Sequence, residues 1–335
     1  MTADLPILLH EQQPQQLWTV LLKTTPLPAV LLKVIAEYSA YKKSQLIKEL
    51  INFCAISCSS NNQHVAIAPS YRRYGSPTSA YIYTVPLNTV SEIPTHDYNC
   101  MFESVFFSPN NRHIVTTTCA TSAFLYDIEK KSLVRTFESG DFRVYSASFG
   151  NDENQLVVGS GAQIALLWDV RTALPIHRFN NDPHSARIVS LSPDNAHIAT
   201  TGNTTTISLW DVKMRSRMYT LGHHALWVAC VSFNPESTQC ITGSRDQKAI
   251  IWDVKTGSLM HTLCGHRETI NSVSLNNTDA ITASDDYSLC FWDTATEGKR
   301  DMIQTPKSRL HAVSPDHTLL AILGEDKKVY VWTPI

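Results

Sequence analysis

Short runs that alternate between apolar and polar residues fill the chain from about residue 44 onward. Two examples are Glu103–Phe107, which ends at Ser108-Pro109, and Val231–Phe233, which ends at Asn234-Pro235. A period of two, interrupted by Gly, Pro, Asn and Asp, is typical of half-buried β-strands joined by tight turns. The pattern therefore predicts an all-β structure over most of the chain.

An aromatic residue ends one of these runs at regular intervals. The residues are Tyr83, Tyr126, Trp168, Trp210, Trp252, Trp292 and Trp332, at spacings of 43, 42, 42, 42, 40 and 40 residues. Four of them form Trp-Asp dipeptides, and Tyr126-Asp127 is a fifth, weaker version. A period of roughly 40–45 residues with this dipeptide indicates the four-stranded blades of a β-propeller.

Residues 44–335 resemble the WD-repeat family, which implies a seven-bladed propeller. The resemblance also implies a hydrogen-bonded set in each blade: a His before the blade, a Thr in its second strand, an Asp in the next turn and the Trp. One full set is His266, Thr282, Asp286 and Trp292. A second is Thr242, Asp246 and Trp252 with either His223 or His224. These residues are expected to be structural, because a buried polar group without a partner is costly.

The two ends of the chain are expected to meet. The chain stops at Ile335, shortly after Trp332, so the last blade has no outer strand of its own. Residues 44–50 resemble residues 132–138, an outer strand within the array. We therefore predict that residues 44–50 pair with the last blade and close the ring, which removes exposed sheet edges.

Residues 1–43 precede the repeats, and their apolar spacing predicts a short α-helical extension. The segment around Leu27, Pro28, Leu31, Val34, Ile35 and Tyr38 resembles the first helix of an F-box. That resemblance implies docking on a Skp-type adaptor of a ubiquitin ligase. The alternative is a helical hook that only packs on the propeller, and the structural role is the preferred interpretation.

Composition narrows the class of protein. Apolar residues make up 43% of the chain and charged residues 17%, with a net charge of -2, so a large core is expected and nucleic-acid binding is not. The sequence contains no run of about 20 uncharged apolar residues, so an integral membrane protein is not expected. Residues 1–16 contain no basic residue, unlike a Sec-type signal. We predict a monomeric cytoplasmic protein, with a nuclear location or delivery into a host cell as alternatives.

No pattern in the sequence predicts catalysis. Gly-rich phosphate loops, His-Glu-x-x-His segments and paired metal-ligand spacings do not occur, and none of the 8 cysteines forms a Cys-x-x-Cys pair. The His, Thr and Asp residues that could suggest a catalytic triad belong to the blade sets. We therefore expect a protein that is not an enzyme and that needs neither cofactor nor metal.

One end of the predicted propeller concentrates basic and aromatic residues. The candidate partner-binding residues are Tyr71, Arg72, Arg73, Arg143, Tyr145, Arg187, Trp227, Arg245, Lys307 and Arg309. Seven basic residues here face three acidic ones (Glu103, Asp285 and Glu325), a difference of +4. Arginine with exposed aromatic residues is typical of interface hot spots, and guanidinium groups suit carboxylate or phosphate.

These features predict a protein-interaction scaffold that binds an acidic or phosphorylated peptide segment. Three alternatives stay open at this point. The chain could be the substrate receptor of a ubiquitin ligase, a phosphoinositide-binding propeller that uses Arg72-Arg73, or an effector that an intracellular bacterium delivers into its host.

Overall fold

The structure is a computed structural model that describes residues 53–69, 79–87, 89–94, 101–140, 142–161, 164–180, 186–296, 298–305, 308–324 and 329–332. All regular secondary structure in these ranges is β-strand, which confirms the all-β prediction. The predicted helical extension (1–43) and the predicted closing strand (44–50) lie outside the described residues.

Each of the first four sheets has four antiparallel strands in chain order. Sheet 1 contains β1 (Phe53–Cys58), β2 (His64–Pro69), β3 (Ser79–Thr84) and β4 (Thr89–Pro94). Sheet 2 contains β5 (Phe102–Phe107), β6 (His113–Thr118), β7 (Ser122–Asp127) and β8 (Ser132–Glu138). Sheet 3 contains β9 (Val144–Phe149), β10 (Gln155–Ser160), β11 (Ile164–Asp169) and β12 (Leu174–Asn180). Sheet 4 contains β13 (Ile188–Leu191), β14 (His197–Thr201), β15 (Ile207–Asp211) and β16 (Ser216–Leu221).

The remaining sheets follow the same plan, except that the last has three strands. Sheet 5 contains β17 (Val228–Phe233), β18 (Gln239–Ser244), β19 (Lys248–Asp253) and β20 (Leu259–Cys264). Sheet 6 contains β21 (Ile270–Leu275), β22 (Asp279–Ser284), β23 (Ser288–Asp293) and β24 (Lys299–Gln304). The last sheet contains β25 (Ser308–Val313), β26 (Leu320–Gly324) and β27 (Val329–Trp332).

The first strand of each sheet contacts the first strand of the next, and β25 contacts β1. The sheets therefore stand around a common axis as a β-propeller. The blade count differs from the prediction: the described residues form six complete four-stranded blades rather than seven, and the last repeat is present as a three-stranded sheet. The prediction assigned the fourth strand of the last blade to residues 44–50, which lie outside the described residues.

Apolar clusters lie at every junction between neighbouring sheets. The clusters join sheets 1 and 2, 2 and 3, 3 and 4, 4 and 5, 5 and 6, 6 and the last, and the last and 1. At the closing junction, Val65 and Ile67 of β2 pack with Leu319 and Ala321, and the Cys58 thiol donates to the Ala312 carbonyl oxygen (3.4 Å). Burial of apolar surface between sheets is thus the main cohesive force of the ring.

A belt of hydrogen bonds joins the turns between first and second strands around the ring. Most members are Asn, Asp or Ser, side chains that readily bond the backbone of turns. The bonded pairs are Ser60–Asn111, Asn110–Glu153, Asn151–Pro193, Asp194–Ser237, Asn234–Asn277, Asn276–His317 and Asn62–Asp316. The last pair (2.7 Å) joins sheet 1 to the last sheet. The ring is therefore closed by polar as well as apolar contacts.

The predicted blade network is present in sheet 5. The Trp252 indole Nε1 donates to Thr242 Oγ1 (3.0 Å). The His224 ring lies between the same hydroxyl (2.8 Å from Nε2) and the Asp246 carboxylate (2.9 Å from Nδ1). The structure thus selects His224, while His223 stacks obliquely on Trp252 with ring centroids 5.7 Å apart.

Sheet 6 repeats this network with His266, Thr282, Asp286 and Trp292, at 2.7 to 3.1 Å. In sheet 4 only the bond from the Trp210 Nε1 to Thr200 (3.0 Å) is described. In sheet 3 the Trp168 Nε1 is buried without a hydrogen-bond partner among the described residues. The network is therefore most complete toward the C-terminal half, as the sequence predicts.

Removal of the central hydroxyl should destabilise sheet 5. Thr242→Val leaves His224 Nε2 and Trp252 Nε1, both buried, without their shared partner. We expect a loss of about 1–3 kcal/mol in the free energy of unfolding, measured by urea denaturation at pH 7. Thr220→Val, an exposed threonine on β16, is the control. Equal stability of the two variants would contradict a stabilising role for the network.

Two histidines lie where the last sheet packs on sheet 6, one of them buried and the other half-buried. His311 of β25 is 6% exposed, and neither ring nitrogen has a hydrogen-bond partner in the described part of the chain. A hydrogen bond joins the His317 Nε2 to the Ser274 hydroxyl (2.8 Å). Burial lowers the pKa of both rings to about 4. The charge of His266 also lowers the pKa of His311, whereas Asp286 raises it. At His317, Asp279 and Asp316 oppose the effect of burial.

Acid should therefore weaken this junction. Between pH of about 6.5 and 4 the unfolded chain binds protons that the folded chain does not, so stability is full above pH 6.5 and falls as the pH approaches 4. His311 occupies the register position that Val273 holds in β21. We expect His311→Val to lose less unfolding free energy than the wild type between pH 7 and pH 5, measured by urea denaturation. Identical losses would contradict the assignment.

Candidate binding face of the propeller

The predicted partner-binding residues belong to one end of the ring, here called the upper face. It is formed by the loops that lead into the first strands and by the turns that join second to third strands. In four sheets the same backbone hydrogen bond ties the turn to the loop, with the turn N–H as donor and the loop carbonyl oxygen as acceptor (2.8 to 2.9 Å). The pairs, donor first, are Cys119–Met101, Gly161–Arg143, Arg245–Trp227 and Asp285–Thr269. These loop and turn residues therefore lie side by side on the four blades.

A β-bulge near the start of the first strand directs further side chains toward this face. In β5, β9, β21 and β25 the pairing register skips one residue after the first pair. The skipped residues are Glu103, Tyr145, Asn271 and Arg309. Bulges re-aim a side chain out of the regular alternation, and at two of these positions, Glu103 and Tyr145, the side chain contacts an arginine of the next blade.

Trp227 and Arg245 form a unit on sheet 5. The Arg245 guanidinium lies 4.8 Å from the centre of the Trp227 ring, and Trp227 stays 43% exposed. The Ser244 hydroxyl donates to the Leu226 carbonyl (3.0 Å), and the Asp246 carboxylate accepts the Ala225 N–H (2.9 Å). The blade network thus fixes the loop that carries the tryptophan, so the stacked pair is pre-organised.

Asp246 links the network to this loop through its charge. Burial alone would raise the pKa of Asp246, but hydrogen bonds from the Ala225 N–H and from His224 outweigh it and hold the pKa below its usual value. Burial lowers the pKa of His224. The aspartate is therefore ionised at neutral pH and accepts the loop N–H as an anion, which is a strong type of hydrogen bond.

A second group joins sheets 2, 3 and 4 through Tyr145. The guanidinium groups of Arg143 and Arg187 lie 5.2 Å and 4.4 Å from the centre of its ring. Arg187 also donates to the Tyr145 hydroxyl (3.1 Å), and Arg143 pairs with the Glu103 carboxylate, which raises the pKa of Arg143. Arg187 forms no ion pair with a carboxylate in the described part of the chain, so its charge is available to a ligand.

The structure thus brings Arg143, Tyr145 and Arg187 together and places Trp227 with Arg245. Tyr71, Arg72, Arg73 and Lys307 lie outside the described residues, and only the backbone of Arg309 is described. Among the described residues, the predicted face has three arginines and two acidic residues (Glu103 and Asp285), so its net charge is 3 − 2 = +1. Arg143 is committed to Glu103, and Asp285 accepts from the Asn271 amide (2.9 Å).

The predicted set of partner-binding residues does not include three exposed apolar side chains of this face. Met101, Phe142 and Leu226 are 47%, 42% and 52% exposed. Phe142 and Leu226 each precede a predicted site residue, Arg143 and Trp227. Their position in the loop could have predicted their exposure, because residues beside a loop-to-turn hydrogen bond project from the same face as the predicted site residues. The upper face is therefore more apolar than the predicted residues suggest.

A shallow groove of about 310 Å³ lies elsewhere, between the outer parts of sheets 2 and 3. Leu125, Val134, Phe149 and Val170 line it together with Arg135 and Arg171. At the matching place between sheets 4 and 5, Tyr219 packs on the apolar cluster. Arg135 holds the register position of Tyr219, and its narrow side chain leaves the groove open. None of the predicted site residues lines it.

Within the described ranges no group of three or more His, Cys, Asp or Glu side chains is placed to hold a metal ion. Among the described residues there is no helix that could span a membrane. The predicted adaptor-docking residues, Leu27, Pro28, Leu31, Val34, Ile35 and Tyr38, lie outside the described residues.

Comparisons with known proteins agree with this geometry. The family model "WD domain, G-beta repeat" (WD40) matches residues 175–211, 215–253 and 257–293. No curated protein matches the sequence. A chain in the "Crystal Structure of Mitotic Checkpoint Complex" is similar with a TM-score of 0.74 and 18% identity, over 99% of this chain and 98% of that chain. At this identity the likeness concerns the fold.

Each matched segment combines the outer strand of one sheet with three strands of the next, as residues 175–211 do for β12 and β13–β15. The sheets that carry the blade network are among those matched. A propeller of WD40 repeats is typically a non-catalytic interaction scaffold. The chain therefore carries three tandem WD40 repeats within a β-propeller.

Proposed function

We propose that this propeller is a non-catalytic scaffold whose upper face binds an acidic or phosphorylated peptide segment. The stacked pair of Trp227 and Arg245 carries the proposal, because it offers an exposed aromatic surface and a guanidinium group at one place. Trp and Arg are the residues most enriched at the energetic centres of protein interfaces. The loop beneath the pair is already fixed by the blade network, which reduces the entropy cost of binding.

The charge of Arg187 supports an anionic ligand. Its guanidinium is oriented by Tyr145 and has no carboxylate partner in the described residues. A planar guanidinium binds carboxylate or phosphate through two parallel hydrogen bonds. Arg143 is already neutralised by Glu103, so Arg187 and Arg245 are the two arginines that we assign to ligand recognition.

Apolar residues beside these arginines support a peptide rather than a free anion. Met101, Phe142 and Leu226 add exposed apolar surface to the same face. A peptide segment can bury such residues while its acidic groups meet the guanidinium groups, whereas a free phosphate contacts only charge. The similar chain of the checkpoint structure is part of a complex, which is consistent with a role in assembly.

Loss of the stacked pair should weaken peptide binding without unfolding the chain. We expect Trp227→Ala and Arg245→Glu each to weaken binding about tenfold or more, the scale of a hot-spot residue. The probe is an immobilised library of synthetic peptides in acidic, phosphorylated and neutral scrambled versions. Arg178→Glu on β12 and Leu259→Ala on β20, both exposed, are the controls.

Two results would contradict the proposal. The wild-type chain could retain acidic and phosphorylated peptides no better than their neutral scrambled versions. Alternatively, the upper-face variants could bind as tightly as the two controls, which would remove the stacked pair from the site. Circular dichroism and thermal unfolding of every variant separate loss of binding from loss of structure.

We also propose that the three-stranded last sheet is a seventh blade, completed by residues 44–50. The closing apolar cluster and the Asn62–Asp316 hydrogen bond support it, because they have the same form as the contacts between complete blades. The edge of β27 supports it as well, since no fourth strand pairs with β27 among the described residues, whereas every other third strand pairs with a fourth. The likeness of residues 44–50 to residues 132–138 supplies the candidate strand.

Stepwise truncation tests this assignment. Removal of residues 1–43 should leave the melting temperature nearly unchanged. Removal of residues 1–50 should lower it by several degrees, because a ladder of backbone hydrogen bonds and a covered edge are lost. Differential scanning calorimetry of the two truncated chains gives the comparison. Equal melting temperatures would contradict a role for residues 44–50 in closing the ring.

A further inference from the structure

The turns between third and fourth strands share one rigid geometry. In sheets 2 to 6, an Asp at the end of the third strand accepts the N–H group of the residue three positions later, at 2.7 to 3.1 Å. The pairs are Asp127–Lys130, Asp169–Thr172, Asp211–Met214, Asp253–Thr256 and Asp293–Thr296. The next residue has a left-handed backbone at Lys131, Ala173, Arg215 and Gly257, with φ from 52° to 68°. Corresponding side chains therefore project alike on neighbouring sheets.

These turns lie at the end of the ring opposite the upper face, since successive turns of a four-stranded sheet alternate between its two ends. The turns of sheets 2, 3 and 4 are adjacent. We call residues 129–131, 171–174 and 213–215 the basic rim. It is a separate surface from the candidate peptide site.

The basic rim carries a one-sided charge. Its exposed charged residues are Glu129, Lys130, Lys131, Arg171, Lys213 and Arg215, a difference of 5 − 1 = +4 on a chain whose net charge is -2. The capping aspartates lie within the turns, where they accept N–H groups, and Asp127 also pairs with Arg112 (3.4 Å). The described residues of the sheet 6 turn, Ala295 and Thr296, carry no charge.

Most of this positive charge is unpaired. Arg171 lies 3.8 Å from Asp169, whereas Lys130, Lys131, Lys213 and Arg215 form no ion pair with a carboxylate in the described part of the chain. Two large apolar side chains stand among them at the tips of the turns: Leu174 is 63% exposed and Met214 is 71% exposed. A protruding apolar side chain between free cations costs solvation without a folded-state benefit, which points to a contact outside the chain.

We propose that the basic rim docks the propeller on the surface of an anionic lipid bilayer. Lysine and arginine near such a surface are attracted by the anionic headgroups, and each adds to the binding. Leu174 and Met214 project far enough to enter the boundary between headgroups and acyl chains. Convex turn tips suit a deformable headgroup layer, whereas a protein partner favours a recessed apolar centre that excludes water.

This docking leaves the upper face directed away from the membrane. The turns of sheets 2 to 4 are at the lower end of the ring, and the Trp227–Arg245 pair is at the upper end. A bilayer-bound propeller would thus present its candidate peptide site to the aqueous phase. The proposal does not depend on the peptide site, and either could fail alone.

Vesicle flotation of the full chain tests the proposal. The probes are vesicles of phosphatidylcholine alone and vesicles of phosphatidylcholine with phosphatidylserine. We expect flotation with the anionic vesicles only, weakened by added salt. The triple variant Lys213→Glu, Met214→Ser, Arg215→Glu should reduce the bound fraction by roughly tenfold or more. The Asp211 cap is retained in this variant, so the turn keeps its backbone hydrogen bond.

The matched control is Lys299→Glu with Met302→Ser, which makes the same kinds of change at exposed positions of β24 in sheet 6. It should float like the wild type, and thermal unfolding should show that both variants are folded. The proposal is overturned if the wild type does not float with anionic vesicles, or if the triple variant floats like the control. Retention on immobilised polyglutamate without flotation would instead assign the basic rim to an acidic protein.

Discussion

Burial of apolar surface between neighbouring sheets is the interaction on which the rest of this structure depends. Each sheet has apolar residues on both of its faces, and a stack with free ends would leave two of these faces in water. A ring removes both ends. The apolar clusters occur at every junction, including the one between the last sheet and sheet 1. The tertiary structure is therefore the arrangement that leaves no apolar sheet face uncovered.

Polar chemistry is confined by this constraint to the two ends of the ring and its outer rim. On the lower end, turn residues form an inter-blade belt of hydrogen bonds. On the upper end, the blade networks of His224 and His266 hold the loops above them through Asp246 and Asp286. The same interaction that satisfies buried polar groups thus also fixes the loop that presents Trp227. Structural residues and residues of the proposed binding site are neighbours there for a physical reason.

Much of this fold could be predicted from periodicity. The aromatic spacing located the third strands, and Tyr126, Trp168, Trp210, Trp252 and Trp292 all end or nearly end such strands. The two complete blade networks were predicted because their members keep fixed offsets within one repeat. The count of complete blades was not, because it depends on residues outside the described part.

Contacts between different repeats were harder to predict. The pairing of Glu103 with Arg143 joins two blades, so the sequence counted as free a charge that the structure shows as neutralised. His311, which has no hydrogen-bond partner among the described residues, was missed for a similar reason, since its environment is set by sheet 6. The stacking of Arg245 on Trp227 lies within one blade, and both residues were singled out from the sequence alone. Contacts at fixed offsets within a repeat can be predicted from the sequence, whereas the pairing of side chains between blades is seen only in the three-dimensional structure.

We propose that the upper face is the site of peptide binding, and hydrogen exchange followed by mass spectrometry, on the chain alone and saturated with an acidic phosphopeptide, can test this. We expect bound peptide to slow exchange in the loops that carry Tyr145, Arg187, Trp227 and Arg245 and to leave the lower turns unchanged. Slower exchange confined to the lower turns or to the outer strands would contradict it.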